Sequence, residues 1–419
     1  MGCVHSNSVA RETEQVVSRQ PSDGMVRRVS SERMTDKEFH PRYALHEKLG
    51  KGSFAVVYSA SKVEKDKVGD EYAVKIVDLR TAKSRELPFD DPRVALEPGL
   101  QNMVRREVKI LRAIRGHPHV CSSFECFIGG GLAYIVLGKC DRTLLQALLA
   151  TVDLTEVTLR PFIRGMLVGL EFVHSRNVVH RDVKPDNFMC CGSRNTVQLC
   201  DFGIACIVSK DKENNCKGEN GTAPFMAPEM LQGKPYGAKV DIWSVGVVAY
   251  LLTFGTLPYL PEEWTERALK ACIRSGSPEP SFEPVDDRTH DSVSADTQRF
   301  VRRLMNRDPD TRPTSKEVLA DAYFESKNLS EASLRAALRN ARRCGAFENR
   351  GSKPLKTTDV DIRLAELQEA HHSKMSLLAS MPSGMSSIST TSGPDRSCMD
   401  ASAWSIMRGT KNSQADTEA

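Results

Sequence analysis

The sequence predicts an α+β fold in which most strands precede most of the helices. Alternating or β-branched residues dominate two stretches that are typical of strands, Tyr72–Lys75 and Tyr134–Leu137. After Gly138, apolar residues recur at helical spacing in Thr143–Leu149 and again in Leu154–Ser175. The chain therefore contains strand-like stretches before Gly138 and helical stretches after it.

The bulk composition excludes several classes of protein. The chain has 419 residues, of which 40% are hydrophobic and 27% charged, as in a soluble globular protein. Its net charge of +4 is too small to indicate nucleic-acid binding, so no nucleic-acid partner is expected. The twelve Cys show no regular disulfide framework, and reduced thiols in a cytosolic protein are expected. Cys190, Cys191 and Cys200 are expected to pack in a core rather than to react or bind metal.

A short motif after the second helical stretch carries the clearest chemical signal. Residues 180–187 read HRDVKPDN. In this motif the Asp182 carboxylate can take the proton of a hydroxyl, the Lys184 ammonium can neutralise charge on a phosphate, and Asn187 can hold a metal ion. Asp201 opens a DFG tripeptide that offers a second carboxylate to a metal. The combination indicates phosphoryl transfer.

These two segments resemble the catalytic loop and the metal-binding loop of eukaryotic protein kinases. The resemblance implies a two-lobed protein kinase fold over 43–324, with a small β-rich N-lobe (about 43–138) and a larger, mostly helical C-lobe (about 139–324). It also implies ATP and Mg²⁺ as cofactors, Asp182 and Lys184 as catalytic residues, and Asn187 and Asp201 as metal ligands.

Further kinase-like motifs in the N-lobe would hold the nucleotide. Leu49–Val57 resembles the glycine-rich loop, where Gly offers unusual φ angles and lets backbone amides approach phosphates. Ala55 stands where the family expects a third Gly, and Gly138 stands where an acid often follows the residue at the back of the adenine pocket. The expected ATP-binding residues are Leu49, Gly50, Lys51, Gly52, Ser53, Phe54, Ala55, Val57, Ala73, Lys75, Glu107 and Leu137.

Lys75 lies in a segment that resembles the strand-three lysine motif, and the resemblance implies contact with the α- and β-phosphates. A Pro-containing insertion, Thr81–Gly99, follows it, and a helical pattern resumes at Val104. Glu107 is the expected partner of Lys75 because it precedes an HPHV sequence in the family's usual order, and Glu97 is the alternative.

Three C-lobe residues are expected to hold the fold. Glu229 ends a stretch that resembles the end of a kinase activation segment, and Arg312 is the partner that the family implies for it. Asp241 precedes an uncharged run, Ile242–Pro261, that is about long enough to span a membrane. Because this run matches a kinase motif, it is expected to form the buried central helix instead.

Two features bear on substrate type and regulation. The resemblance makes Lys184 together with Thr222 the mark of a Ser/Thr kinase. Arg181, beside the catalytic Asp, suggests a type of kinase whose activity can be switched by a negative charge on the activation loop. Glu213 and Glu219 in that loop are either a built-in acidic substitute for a phosphate or part of a plain solvated loop.

The first residues predict attachment to a membrane. Gly2 with Ser6 fits the N-myristoylation pattern, and Cys3 is a candidate for S-palmitoylation. One acyl chain binds only marginally, so Cys3 would supply the second signal that stable attachment needs. We therefore expect 1–42 to be a disordered, acylated arm that places the protein on the cytoplasmic face of a membrane, and otherwise in the cytoplasm.

The tail beyond the kinase-like region is expected to be helical over 325–379 and disordered over 380–419. Ser330–Gly345 predicts a basic amphipathic helix with Ser330 as its cap. Its apolar stripe would either dock on the large lobe or bind calmodulin, and docking is favoured because Leu334 and Leu338 are its only large residues. A second, weaker helix is expected within Thr358–Leu378.

Within the kinases, the chain resembles the calcium/calmodulin-dependent and calcium-dependent group, but it contains no EF-hand loop motif. The resemblance implies a membrane-anchored signalling kinase that phosphorylates protein Ser and Thr residues with Mg-ATP. The alternative is a pseudokinase scaffold. Such scaffolds usually lack one of the catalytic residues, whereas Lys75, Asp182, Asn187 and Asp201 are all present here.

Overall fold

The computed structural model describes residues 39–52, 55–63, 71–89, 91–209, 214–283, 293–344 and 360–369. Within these ranges a small β-rich lobe is followed by a larger, mostly helical lobe, which confirms the predicted two-lobed α+β fold. The acylation candidates Gly2 and Cys3, the loop residues Ser53 and Phe54, and the tail 380–419 lie outside the described residues. The predicted boundary of the disordered arm at residue 42 is wrong, because Phe39 is fully buried in the small lobe.

The small lobe is built on five strands: β1 (Tyr43–Lys51), β2 (Ala55–Lys62), β3 (Glu71–Asp78), β4 (Ser123–Gly129) and β5 (Leu132–Gly138). They form one antiparallel sheet in the order β1-β2-β3-β5-β4. Side chains alternate between the faces of a strand, so Ala73 and Lys75 of β3 point to one face while Val74 and Ile76 point to the other.

A helix, α1 (Pro98–Ala113), crosses from β3 towards β4. It begins earlier than the predicted restart at Val104, with a proline in its first turn, where a missing N–H costs no intrahelical hydrogen bond. The insertion before it contains a short 3-10 helix, Lys83–Glu86. On α1, Glu107 and Leu111 are buried and face the rest of the domain.

The large lobe contains the remaining strands and helices. Its first two helices begin at capping boxes, in which Thr143 and Thr155 accept backbone hydrogen bonds from the third residue of each helix. The strands are β6 (Arg142–Thr143), β7 (Val178–Val179), β8 (Phe188–Cys191), β9 (Thr196–Leu199) and β10 (Cys206–Ile207). The helices are α2 (Leu144–Ala150), α3 (Glu156–Ser175), α4 (Pro228–Leu231), α5 (Lys239–Phe254), α6 (Glu266–Ser275), α7 (Ala295–Leu304), α8 (Ser315–Leu319), α9 (Arg335–Arg343) and α10 (360–369). Short 3-10 helices occur at Pro185–Asn187, Ala223–Phe225 and Ala322–Glu325.

Helix α5 is the buried centre of the large lobe, where the sequence predicts a core helix. Every residue from Val240 to Phe254 is buried. Among the residues that the structure describes, none of the helices has both the length and the apolar character needed to cross a bilayer.

The tail helix α9 is shorter than predicted, and Ser330 does not cap it. The backbone N–H of Ser330 donates to Glu156 Oε2 at 2.9 Å, and that of Leu334 donates to the Leu154 carbonyl at 2.7 Å. These contacts with the start of α3 hold 330–334 against the large lobe, so the helix begins only at Arg335.

The apolar stripe of α9 is buried on the large lobe. Leu338 is 1% exposed and Ala341 is fully buried. The Arg335 guanidinium anchors the start of the helix by donating to the carbonyls of Leu149 at 3.1 Å and Val152 at 2.9 Å. The stripe therefore already has an intramolecular partner.

Candidate active site

Asp182 lies at the centre of a small hydrogen-bonded network. Its Oδ1 accepts a hydrogen bond from the Thr222 hydroxyl at 2.7 Å, and Lys184 Nζ donates to the same hydroxyl at 2.9 Å. Lys184 Nζ also lies 3.3 Å from Asp182 Oδ2. A carboxylate in contact with both a hydroxyl and a cation is positioned to accept a proton from a hydroxyl beside it.

Gly221 allows Thr222 to reach the catalytic loop. Its φ is +123°, and a Cβ built there would lie 2.4 Å from the Arg181 carbonyl oxygen. Arg181 and Asp201 themselves have positive φ angles of 70° and 61°. Such conformations are costly for residues other than Gly and cluster at functional sites, where the surrounding structure enforces them.

Asp241 of helix α5 binds the backbone of the catalytic loop. It is fully buried, and its carboxylate accepts the backbone N–H groups of His180 and Arg181, both at 2.9 Å. His174 Nε2 lies 2.9 Å from the same carboxylate. Burial opposes ionisation of Asp241, but the hydrogen bonds and charges of His174 and His180 together outweigh it and lower the pKa. The structure therefore gives Asp241 a positioning role.

Lys75 contacts one carboxylate from each lobe. Its Nζ lies 2.7 Å from Glu107 Oε1 and 2.7 Å from Asp201 Oδ1. Burial disfavours the ammonium, but its attractions to Glu107 and Asp201 together outweigh this cost and raise the pKa of Lys75. Partial desolvation opposes the Asp201 carboxylate, whose side chain is still 51% exposed, yet the charge and the hydrogen bond of Lys75 are the main causes that together lower its pKa to about 2. Glu97, the alternative partner, instead lies at the start of α1.

The oxygen donors around Asn187 and Asp201 fit Mg²⁺. The Asn187 amide nitrogen donates to the Asp182 carbonyl at 2.7 Å and to Asp182 Oδ2 at 3.1 Å, so the amide oxygen is left for a metal. Among the described residues, no group of three or more His, Cys, Asp or Glu could hold a metal ion. A carboxylate from Asp201 and an amide oxygen from Asn187 suit Mg²⁺, which usually takes one or two carboxylates and completes its shell with water and substrate phosphates.

Apolar residues on neighbouring strands lie on the same sheet face as Lys75. Val57 lies directly across from Lys75, and Ala73 lies directly across from Leu137. Residues opposite each other on antiparallel strands point to the same face, so these side chains share the face that carries Lys75. Leu49, at the end of β1, is 37% exposed. This is the environment expected for an adenine ring.

The described part of the glycine-rich turn is closed by backbone pairing. Gly50 pairs with Val57, Lys51 lies opposite Val56, and the Gly52 N–H donates to the Ala55 carbonyl at 2.8 Å. The φ of Gly52 lies outside the left-handed range, and a Cβ there would make only an ordinary 3.7 Å contact. The expected φ requirement is therefore wrong at Gly52, and only close approach of a phosphate would require Gly there.

Glu229 and Arg312 form the implied structural pair. The Arg312 guanidinium donates in bidentate fashion to the Glu229 carboxylate, at 2.7 and 3.1 Å. The Arg312 side chain is fully buried, and its guanidinium lies 5.2 Å from the centre of the Trp243 ring. The pair fixes the segment after Thr222 to the core of the large lobe.

The activation segment is held without a contact between Glu219 and Arg181. Arg181 Nε donates to the Ile204 carbonyl at 2.7 Å, while Glu219 pairs with Lys270 of α6 at 3.0 Å. Glu219 therefore does not substitute for a phosphate beside Arg181 in this structure, and Glu213 lies outside the described residues.

A disulfide joins Cys206 to Cys216, so the expectation of reduced thiols is wrong for these two residues. Cys206 pairs with Val179 of β7, and Cys216 pairs with Tyr236. The spacing of the two cysteines in the sequence does not indicate the disulfide. The other described cysteines are free, namely Cys121, Cys126, Cys140, Cys190, Cys191, Cys200, Cys272 and Cys344.

The geometry agrees with the comparison to known families. The family model described as "Protein kinase domain" matches residues 43–324. The chain belongs to the protein kinase family. This kinase is 31% identical to CDPK-related kinase 5 of Arabidopsis thaliana over 296 residues, which cover 70% of the chain and 45% of that relative.

Other relatives belong to the same broad group of kinases. CDPK-related kinase 4 of Arabidopsis thaliana is 29% identical over 86% of the chain and 58% of its own length. Calcium/calmodulin-dependent serine/threonine-protein kinase 1 of Oryza sativa subsp. japonica is 29% identical over 72% of the chain and 50% of its own length. The chain thus spans about half the length of the curated relatives it matches.

Proposed function

We propose that this protein is an active serine/threonine kinase that transfers the γ-phosphate of ATP to hydroxyl groups of protein substrates. The observation that supports this best is the position of Lys75, which contacts Glu107 and Asp201 at once. In protein kinases the lysine–glutamate pair and the metal-binding aspartate must both be in place for transfer.

Each charged residue has one task in the proposed reaction. Asp182 accepts the proton of the substrate hydroxyl. At the same time the hydroxyl oxygen bonds to the γ-phosphorus, and the bond between that phosphorus and the oxygen that leaves with ADP breaks. Lys184 offsets negative charge on the transferred group, and Lys75 orients the α- and β-phosphates. Asn187 and Asp201 would hold Mg²⁺, which when bound neutralises charge on the phosphate oxygens.

The second candidate is a catalytically weak pseudokinase scaffold. The intact set of Lys75, Asp182, Asn187 and Asp201 disfavours it. The test is phosphate transfer from ATP to a library of Ser, Thr and Tyr peptides, with Mg²⁺ and separately with Mn²⁺. Transfer to Ser and Thr peptides supports the kinase, and absence of transfer under every condition supports the scaffold.

We further propose that calcium does not act on this kinase directly. The rice relative is named as a calcium/calmodulin-dependent kinase, but this chain has no EF-hand loop motif, and its α9 stripe is buried. Peptide phosphorylation should therefore be equal in calcium and in chelator, and added calcium-loaded calmodulin should leave it unchanged. A several-fold rise with calcium alone would reveal a sensor within the chain, and a rise only with calmodulin would show that α9 can be released.

We also propose that acylation of Gly2 and Cys3 attaches the kinase to the cytoplasmic face of a membrane. Gly2→Ala removes the myristoyl acceptor and should move the protein to the soluble fraction of cells. Cys3→Ser leaves a single chain and should give weak, reversible association. The measurement is fractionation of cells that express each variant, with Ser8→Ala as a control outside the acceptor positions. Wild-type membrane binding by Gly2→Ala would refute the proposal.

A further inference from the structure

Helix α10 lies on the outer face of the small-lobe sheet, on the side away from the candidate active site. Its Leu364 is 2% exposed and belongs to an apolar cluster with the outward-facing residues Val74 and Ile76 of β3. Phe39 and Tyr134 complete this cluster, with ring centroids 4.4 Å apart. A segment more than 30 residues beyond the family-model match is thus part of the small-lobe core.

Asp361 of α10 binds both strands of the hairpin that carries the glycine-rich turn. Its Oδ2 lies 2.7 Å from Lys48 Nζ on β1, and its Oδ1 accepts a hydrogen bond from the Tyr58 hydroxyl on β2. The side chains of Lys48 and Asp361 are only 13% and 11% exposed. Water therefore screens this ion pair less than a surface pair.

The contact falls where the backbone pairing of the hairpin is irregular. Lys48 pairs with Tyr58, but the register shifts both between Leu45 and Lys48 and between Lys48 and Gly50. Bulges interrupt the ladder of hydrogen bonds and bend a strand. Gln368 of α10 donates to the Leu45 carbonyl at 2.9 Å, so the helix contacts the hairpin on either side of the first irregularity.

The insertion between β3 and α1 holds the other side of the helix. The guanidinium of Arg80 lies 3.4 Å from the centre of the Phe89 ring, and that of Arg363 lies 5.6 Å from it. The Arg363 side chain is 15% exposed. Helix α10 therefore joins the nucleotide-side hairpin to the insertion that leads into α1, the helix that carries Glu107.

We propose that Asp361 is a positioning residue for Mg-ATP. By tying Lys48 to Tyr58 at the base of the glycine-rich turn, it fixes the turn over the phosphates, so the tail helix sets nucleotide affinity. The proposal rests on the proposed kinase function for its substrate. It differs from a purely structural role for α10, which would affect stability without a specific effect on ATP.

The test compares full-length wild type with Asp361→Asn, and with Glu369→Gln, which neutralises an exposed carboxylate of the same helix. The Kd for Mg-ATP, measured by calorimetry, should rise at least about fivefold in Asp361→Asn, the lower end of typical coupling between sites. The KM for ATP should rise with it, while the peptide KM and the kcat at saturating ATP stay near wild type. Glu369→Gln should match wild type throughout.

A milder variant covers the case in which Asp361→Asn fails to fold. Tyr58→Phe keeps the ring and removes only the hydroxyl that donates to Asp361, and it should weaken ATP binding in the same direction. Wild-type ATP affinity in the folded variants, or an equal loss in Glu369→Gln, would overturn the proposal. Because ATP binding is measured directly, this outcome is distinct from failure of the wild type to transfer phosphate.

Discussion

Asp182→Asn should reduce phosphate transfer by about 1,000-fold, within the range that general-base catalysis contributes, and leave ATP binding nearly unchanged. The amide that replaces the carboxylate cannot accept the hydroxyl proton. Asp182 contacts Lys184, Thr222 and Asn187 rather than the Lys75 ion pair, and the oxygen of the introduced amide can still accept from Asn187, so the nucleotide side of the site stays intact. A loss confined to the transition state lowers kcat without weakening the binding of ATP.

The measurement is kcat for a Ser or Thr peptide together with the Kd for Mg-ATP. Lys75→Met is the contrasting variant, because it removes the cation between Glu107 and Asp201 and should weaken ATP binding as well as transfer. If Asp182→Asn retained wild-type kcat, another group would have to accept the proton, and the assignment of Asp182 would fail.

The candidate site can be predicted largely because its chemistry lies in short contiguous motifs. Asp182, Lys184 and Asn187 lie within eight residues, so local spacing alone brings them together. The partner of Lys75 is different, because no spacing in the sequence fixes a distance between a strand and a helix. There the order of motifs in the family selects Glu107 over Glu97, and the fold brings Glu107 to 2.7 Å.

The contacts that the sequence does not reveal are those between distant segments. Lys48 and Asp361 are separated by 313 residues, and neither lies in a recognisable motif. The predicted start of α9 is wrong for a related reason. Ser330 has the chemistry of a helix cap, but its hydroxyl accepts the Ala332 N–H in a local turn. The Leu334 N–H is bound by the Leu154 carbonyl of a distant segment, so the helix begins only at Arg335.

The same reasoning explains the disulfide between Cys206 and Cys216. Composition and the absence of a regular Cys framework favour reduced thiols throughout. The pairing of β10 with β7 and of Cys216 with Tyr236 depends on the path of the activation segment. That path is a property of the folded domain, and no local pattern of residues encodes it.

Arg312→Met should strongly destabilise the large lobe, with a loss of about 3–5 kcal/mol in the free energy of unfolding. Methionine fills much of the space but leaves the Glu229 carboxylate buried without its bidentate partner. The carbonyls of Asn306 and Lys239 also lose the donors that Arg312 supplies, at 2.8 and 2.9 Å. For a domain of this size, the loss corresponds to a fall in Tm of roughly 10 °C.

The matched control is Arg303→Met, which breaks an ion pair with Asp321 at the surface. The Arg303 side chain is 45% exposed, so water already solvates the charge, and we expect a loss of at most about 1 kcal/mol. The double variant Arg312→Met with Glu229→Gln should lose less unfolding free energy than the two single variants lose in total, because it no longer buries an unpaired charge. Thermal and urea unfolding of the full chain would measure these differences. Equal losses for Arg312→Met and Arg303→Met would show that the buried pair contributes no more than a surface pair.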